Sequence, residues 1–481
     1  MTSDPLWTQH LAADALDLVH ERARPYLDAL PDRPVRDVDG KPTLDDLGGD
    51  LPEAGTGALD AVAELLRIGL ATATHSTGPR FFHFVVGGST PAAMAGDWVT
   101  SLLDQAGGLW TASPLASTAE TVVLRWLKDL FGLPSGHGGV LTPSATLANL
   151  TGLAAARWWW ADRHGVDITA TGFAGLPPMP VLSSGLVHPS VRKALQILGC
   201  GRDTVRVHAA DGTGRLDLDA LAETLAAVDG PAVLLASAGD VNTGAFDPID
   251  DLADLADRHG AWLHVDGAFG LFAALSPVSA HLTRGIERAH SVAADGHKWL
   301  NVPYDCGFVF VRDPDLLTRA FGSWGAAYLR SGDDDHIDYN TRGPESSRRA
   351  RALPIWATLR AYGRDGHREM VERHLRLARH LADRVDGAPD LELLAPAQLC
   401  VVCFRYRPPG LPADRLDDLN ARLATEVVAD GRVYLGSTVY DGVTALRPAI
   451  VNWRTTEADV DLLVDIVRET GARITSGGAH P

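Results

Sequence analysis

SVAADGHKWLNVPYDCGFVFV, residues 291–311, decides how the rest of the chain is read. Two short apolar runs, SVAAD (291–295) and CGFVFV (306–311), flank a turn carrying Gly296, His297 and Lys298. Apolar runs of this length are the mark of strands buried on both faces. Similar runs recur upstream: AWLHVD (261–266), AVLLAS (232–237), PVLSS (180–184) and VLTPS (140–144). Helical patterns over 147–164, 190–198, 218–228 and 248–259 separate them. This alternation predicts a largely parallel α/β sheet with crossover helices, from about Phe81 to Gly366. The segments are not self-similar, so no repeat array is expected.

The flanks read differently. Residues 5–30 form an amphipathic helix, with Leu6, Ala13, Leu16, Val19 and Ala23 at helical spacing, ended by Pro31 and Pro34. A second helix covers 58–73. Neither offers much core of its own, so both are expected to pack on something else, a second subunit included. After 367, a long charged helix (367–385), LCVVCFRY (399–406), a helix over 413–429, TALRPAI (444–450) and a terminal helix suggest a smaller α+β unit. Residues 477–481 read as a frayed tail. The expected division is 1–85, an N-terminal helical segment; 86–366, the large α/β domain; and 367–481, the small C-terminal α+β domain.

Composition narrows the function. The 481 residues carry a net charge of −18, which disfavours nucleic acid and anionic membrane surfaces. Four cysteines make no disulfide framework, the opening MTSDPLWTQH has no secretory pattern, and no apolar run approaches a membrane span. A cytoplasmic protein is expected. GxGxxG after a strand, GxxxxGK[ST] and HExxH are all absent. Cys400 and Cys403 form a lone CxxC inside an expected strand, where i and i+3 face opposite ways, so no metal site is expected. Trp158–Trp160 continues a helix and reads as a buried face plus interface.

Three strand ends stand out. LHVDGA places Asp266 just after an apolar strand, SVAADGHKWL does the same for His297 and Lys298, and LTPSAT sets Ser144 and Thr146 before a helix. Ligands of open α/β sheets bind at the carboxyl ends of strands. A hydroxyl-bearing turn at a helix N-terminus suits a phosphate, a lysine can form a Schiff base, and an aspartate can hold a pyridinium nitrogen protonated. Together these describe a pyridoxal-phosphate site. The chain has only four lysines: Lys41 in a connector, Lys128 and Lys193 on charged helix faces, and Lys298. Arginine cannot serve as the amine nucleophile, which explains a lysine at 298 in an arginine-rich chain. A stray solvated lysine is the plain alternative.

From about Phe81 onward the chain resembles the group II pyridoxal-phosphate-dependent amino-acid decarboxylases, which include the aromatic-L-amino-acid, tyrosine, histidine and glutamate enzymes. The resemblance rests on the order and number of RFFHF…TPAAM (80–94), ASP (112–114), GGVLTPSAT (138–146), VHPSVRKA (187–194), ASAGDVNTGAFDP (236–248), WLHVDGAFG (262–270), DGHKWLNVPYDC (295–306) and LRPAIVN…RTT (446–456). It implies the aspartate aminotransferase-like fold type I, with a mostly parallel seven-stranded sheet. By the same resemblance, Lys298 is the Schiff-base lysine and Asp266 the partner of the pyridine nitrogen. Ala268 would lie against one ring face and His188 stack on the other. Taken alone, His188 reads as a buried structural histidine at a helix start. Ser144, Ala145, Thr146 and His297 resemble the phosphate-binding set. Tyr328 matches a mobile-loop proton donor, in a Gly-, Ser- and Asp-rich stretch (322–344) suited to a lid, although a plain exposed loop reads alike.

The implied reaction converts an L-amino acid to its amine and CO2, through a Schiff base on Lys298 and a carbanion delocalised into the ring. The implied assembly is a homodimer with shared active sites, in which 107–110 and the region near Ser347 reach the neighbour's site. The alternative is a decarboxylative aldehyde synthase or another carbon–carbon lyase on the same fold; relatives with Phe at the Tyr328 position make aldehydes. A cofactor-free scaffold protein is a third reading, opposed by Lys298, Asp266 and His188. Two departures stand out. Asp295-Gly296 replaces a common Asn-Pro, and a carboxylate beside a phosphate is unfavourable, so Asp295 is expected to turn away. Val86-Gly87-Gly88 and Gly107-Gly108 delete side chains that shape the aromatic enzymes' pocket, which leaves it wider or refilled from elsewhere.

Overall fold

The structure is a computed structural model that describes residues 8–36, 44–322 and 336–477. Its main sheet has seven strands: β1 (Gly138–Thr142), β2 (Val181–Ser183), β3 (Val205–Val207), β4 (Val233–Ser237), β5 (Trp262–Asp266), β6 (Ser291–Asp295) and β7 (Gly307–Val311). They lie in the order β1-β7-β6-β5-β4-β2-β3. The β3–β2–β4–β5–β6 block is parallel, and β7 pairs antiparallel with both β6 and β1. β1 therefore runs with the parallel set, and β7 alone is reversed. Each of the six apolar runs became a strand. β3 has no such run because Arg206 and Val207 are exposed at the sheet edge.

The described helices are α1 (Ala12–Ala29), α2 (Ala58–Thr72), α3 (Pro91–Leu103), α4 (Pro114–Phe131), α5 (Ala145–Asp162), α6 (Ile168–Thr171), α7 (Pro189–Ile197), α8 (Leu218–Ala226), α9 (Ile249–His259), α10 (Asp315–Phe321), α11 (Ala352–Asp386), α12 (Leu416–Asp430) and α13 (Glu457–Gly477). Crossover helices cover both faces, as a parallel sheet requires. α5 is buried nearly all round, Trp158–Trp160 included, so it shows no amphipathic stripe. Amphipathic α1 and α2 pack together, yet α1 buries no residue and α2 buries only Ile68.

A second sheet, antiparallel and four-stranded, runs β10-β11-β9-β8, from β8 (Leu391–Leu393), β9 (Phe404–Tyr406), β10 (Ser437–Tyr440) and β11 (Val443–Leu446). α11 joins the two cores. Gly363, at φ 60°, breaks it; an L side chain there would be strained. Ile355 and Val371 pack in the large core, whereas Leu381 and Val385 pack with Phe404, Leu423 and Val464 in the small one. Of LCVVCFRY, only Phe404–Tyr406 is strand. Cys400 enters the large core and Cys403 a separate cluster with Ala395 and Ala445. Among the described residues no helix is long and apolar enough to cross a membrane.

Candidate active site

The carboxyl ends of β1, β2, β5 and β6 lie along one edge of the main sheet, because those strands run the same way. Each delivers a polar residue the moment its apolar run ends. Ser144 caps α5 just past β1 and His188 caps α7 beyond β2, while Asp266 and Asp295 are the last residues of β5 and β6. Lys298 and His297 follow in the turn after β6.

Lys298 Nζ stands 3.2 Å from Asp295 Oδ2, and His297 Nε2 stands 3.5 Å from the same oxygen. The His297 ring stacks on Tyr304 at 4.2 Å between centroids, and its buried Nδ1 has no partner among the described residues. Asp295 Oδ1 accepts the Ala145 N–H at 2.5 Å. This corrects the expectation that Asp295 turns away. The first N–H groups of an 18-residue helix are free donors at the positive end of its dipole, and they draw the buried carboxylate inward.

Asp266 Oδ1 accepts the Ala268 N–H and Oδ2 accepts an Asn149 Nδ2–H, both at 3.1 Å. Burial pushes its carboxyl upward, against the pull of Lys298 and His188. His188 Nδ1 faces the Ser190 N–H at 3.2 Å and the Ser190 hydroxyl at 2.7 Å. The backbone donor fixes Nδ1 as an acceptor, so in the neutral ring Nε2 carries the hydrogen. Burial lowers the His188 pKa, opposed by Asp266 and reinforced by Lys298. These three residues, 110 positions apart at the extremes of sequence, thus share one electrostatic site. Ala268 takes the Asp295 N–H on its carbonyl, which ties the ends of β5 and β6 together. Ser144 makes no side-chain bond to its own helix. Tyr328 lies outside the described residues, as does Lys41.

Glycines shape the approach. A Cβ on Gly87 would fall 1.8 Å from the Lys298 carbonyl, and one on Gly108 would fall 2.6 Å from that of Ser346. The space left by those missing side chains is occupied by neighbouring backbone, so the glycines do not simply widen the pocket. Three residues escaped the sequence reading. Arg447 follows β11, is buried, and leaves Nη1 without a partner among the described residues. Its charge reaches His188 and His83. A lone Arg in the apolar run TALRPAI was the available signal. Asn149 and His264 are completely buried behind Asp266, and only the polar interruption of WLHVD hinted at the latter.

A primary amine, a strand-end carboxylate, a capping imidazole and a helix N-terminus with an orphaned His297 Nδ1 make a donor set that fits a phosphorylated pyridine aldehyde. Residues 50–407 match the pyridoxal-dependent decarboxylase conserved domain. The chain is 34% identical to the L-2,4-diaminobutyrate decarboxylase of Rhizobium meliloti, covering 91% of this chain and 87% of that one. It is 29% identical to the phenylacetaldehyde synthase of Petunia hybrida, covering 82% and 81%. Among solved structures, Oryza sativa TDC with PLP and tryptamine superposes with a TM-score of 0.89 at 27% identity, over 98% of this chain and 100% of that one.

Proposed function

The chain belongs to the pyridoxal-dependent decarboxylases, carboxy-lyases that use pyridoxal phosphate, and we propose that it converts an L-amino acid to its amine and CO2. The observation carrying this reading is the meeting of Lys298, Asp266 and His188 at the carboxyl edge of the sheet. Lys298 is the amine that holds the cofactor aldehyde. Asp266 keeps a proton on the ring nitrogen, since a carboxylate close to a cation favours the charged form. His188 and Ala268 would flank the ring of the bound cofactor. Ser144, Thr146 and His297 hold the phosphate at the head of α5, and Ala145 joins them when its N–H is released from Asp295. When bound, pyridoxal phosphate supplies the electron sink that lets a carboxylate depart as CO2.

Arg447 orients the substrate carboxylate. A buried guanidinium keeps its charge and presents donors in a planar fork that matches a carboxylate. Tyr328 returns a proton to the substrate carbon, and this decides between amine and aldehyde. The likeness to a phenylacetaldehyde synthase favours the second reading, a decarboxylative aldehyde synthase. We also propose a homodimer with shared sites. Leu102 and Leu115 are 69% and 48% exposed on α3 and α4, and α1 and α2 bury almost nothing, a pattern that fits a partner surface. Four unpaired cysteines suit a reducing compartment such as the cytoplasm. A CO2-release screen across amino acids, with parallel detection of amine, aldehyde and peroxide, tests the function. Amine in equal yield with CO2 supports decarboxylation; aldehyde with peroxide supports the alternative.

A further inference from the structure

Behind Asp266 lies a line of buried polar side chains whose hydrogen bonds all run one way. Asn149 Nδ2 is 3.1 Å from Asp266 Oδ2, and Asn149 Oδ1 is 3.0 Å from His264 Nε2. His264 Nδ1 is 2.7 Å from Ser291 Oγ, which in turn is 3.0 Å from Trp262 Nε1. All four supporting residues are at most 1% exposed.

With Asp266 ionised, the donor inventory fixes every proton. A carboxylate only accepts, so Asn149 must turn its amide NH2 to Asp266 and its oxygen to His264. That oxygen only accepts, so His264 Nε2 carries the ring hydrogen and Nδ1 receives the Ser291 hydroxyl. Indole Nε1 only donates, so Trp262 completes the line at Ser291 Oγ. Burial pushes the His264 pKa down to about 3, which keeps the ring neutral and this tautomer intact. No group in the line is left unsatisfied, the condition under which a buried polar network rigidifies a site.

Gly152 supplies a second, independent sign that the ring is placed on purpose. It sits one turn after Asn149 on α5, where glycine is less favourable than alanine. A Cβ there would stand 3.0 Å from His264 Cε1 and 3.1 Å from Nδ1. The helix gives up a methyl group where the imidazole passes.

We propose that Asn149 and His264 are positioning residues that hold the Asp266 carboxylate, oriented and ionised, toward the cofactor's ring nitrogen. Ala268 secures Oδ1 through the backbone, and the side-chain line secures Oδ2. Burial alone favours a protonated Asp266, and the Asn149 donor opposes that. The inference rests on the reading of Asp266 as the ring-nitrogen partner.

The test compares the affinity of the protein for pyridoxal phosphate with its affinity for the analogue carrying carbon in place of the ring nitrogen. Wild type should prefer the natural cofactor. Asn149→Leu and His264→Leu should weaken pyridoxal phosphate by about 10- to 100-fold, the range found when residues supporting a ligand are lost, and leave the analogue within about threefold. His264→Gln, which retains a donor, should restore much of the preference. Should the leucine variants not fold, Ser291→Ala, which frees the far edge of the ring, should narrow the preference in the same direction. Equal loss for both cofactors, or an unchanged preference, overturns the proposal. A wild type that binds both alike overturns the Asp266 assignment, and this inference with it.

Discussion

Arg348 and Glu120, 228 residues apart in sequence, form a buried two-bonded ion pair, Nη1 to Oε2 at 3.0 Å and Nη2 to Oε1 at 2.9 Å. The pair also takes both backbone groups of Leu141: its N–H bonds Glu120 Oε1 at 2.9 Å, and its carbonyl accepts Arg348 Nη2 at 2.6 Å. Leu141 precedes the last residue of β1, so the pair fixes the strand that feeds the Ser144 turn.

Arg348→Met should therefore cost about 3–5 kcal/mol, because it strands the Glu120 charge in the interior. Glu120→Leu with Arg348→Met should cost less than the single change, since no charge is left behind. Urea unfolding measures both. A single-variant loss under about 1 kcal/mol would mean that the pair is not a staple.

Arg447→Met should raise KM by about 10- to 100-fold, as expected for one charge-assisted contact to substrate. Its melting temperature should not fall, since the change removes a buried Nη1 donor that has no partner among the described residues. Steady-state kinetics beside thermal melts separate the effects. A variant that melts early with unchanged KM would make Arg447 structural.

Tyr328→Phe removes a hydroxyl and little else. Cofactor binding and CO2 release should persist while amine yield per CO2 falls and aldehyde or peroxide appears. Loss of a positioned acid typically slows protonation by about 10²–10⁴-fold. Wild-type amine yield from the variant would assign the proton elsewhere, His188 being next in line.

Acid should weaken the fold in a calculable direction. His264 and His374 are completely buried and pushed down to about 3, so below pH 6.5 the unfolded chain binds protons that the folded chain refuses. Their stabilisation is complete above 6.5 and is lost as pH falls toward 3, at up to about 1.4 kcal/mol per pH unit for each. Asp247 works against them. Its carboxyl is raised to about 6 by burial, so its contribution is fully present below 3.8 and is lost as pH rises through 6. Urea midpoints between pH 7 and 4 should fall, and His374→Gln should flatten the slope by about one proton. A flat profile in wild type would contradict this.

How much of this was written in the sequence varies by element. β6 begins and ends where its run does, because a strand buried on both faces carries only apolar residues between its polar ends, Ser291 and Asp295. The strand-end places of Asp266 and Lys298 are legible for the same reason: Asp266 ends such a run and Lys298 lies three residues past one. β3 was not, since an edge strand of three residues with two exposed carries no pattern. Arg348 could not be paired with Glu120 across 228 residues. The Asn149–His264–Ser291 line joins one helix to two strands, and its members look like isolated polar residues until the sheet sets them side by side. The inward turn of Asp295 is not legible either, because the Ala145 N–H that meets it lies 150 residues away in the chain.

Lys298 is the residue proposed to hold the cofactor. Borohydride reduction of the protein loaded with pyridoxal phosphate, followed by peptide mapping, reads this directly. The label should fall on the peptide containing Lys298 and vanish in Lys298→Ala. A label on Lys128 or Lys193, or an undiminished label in the variant, would contradict it.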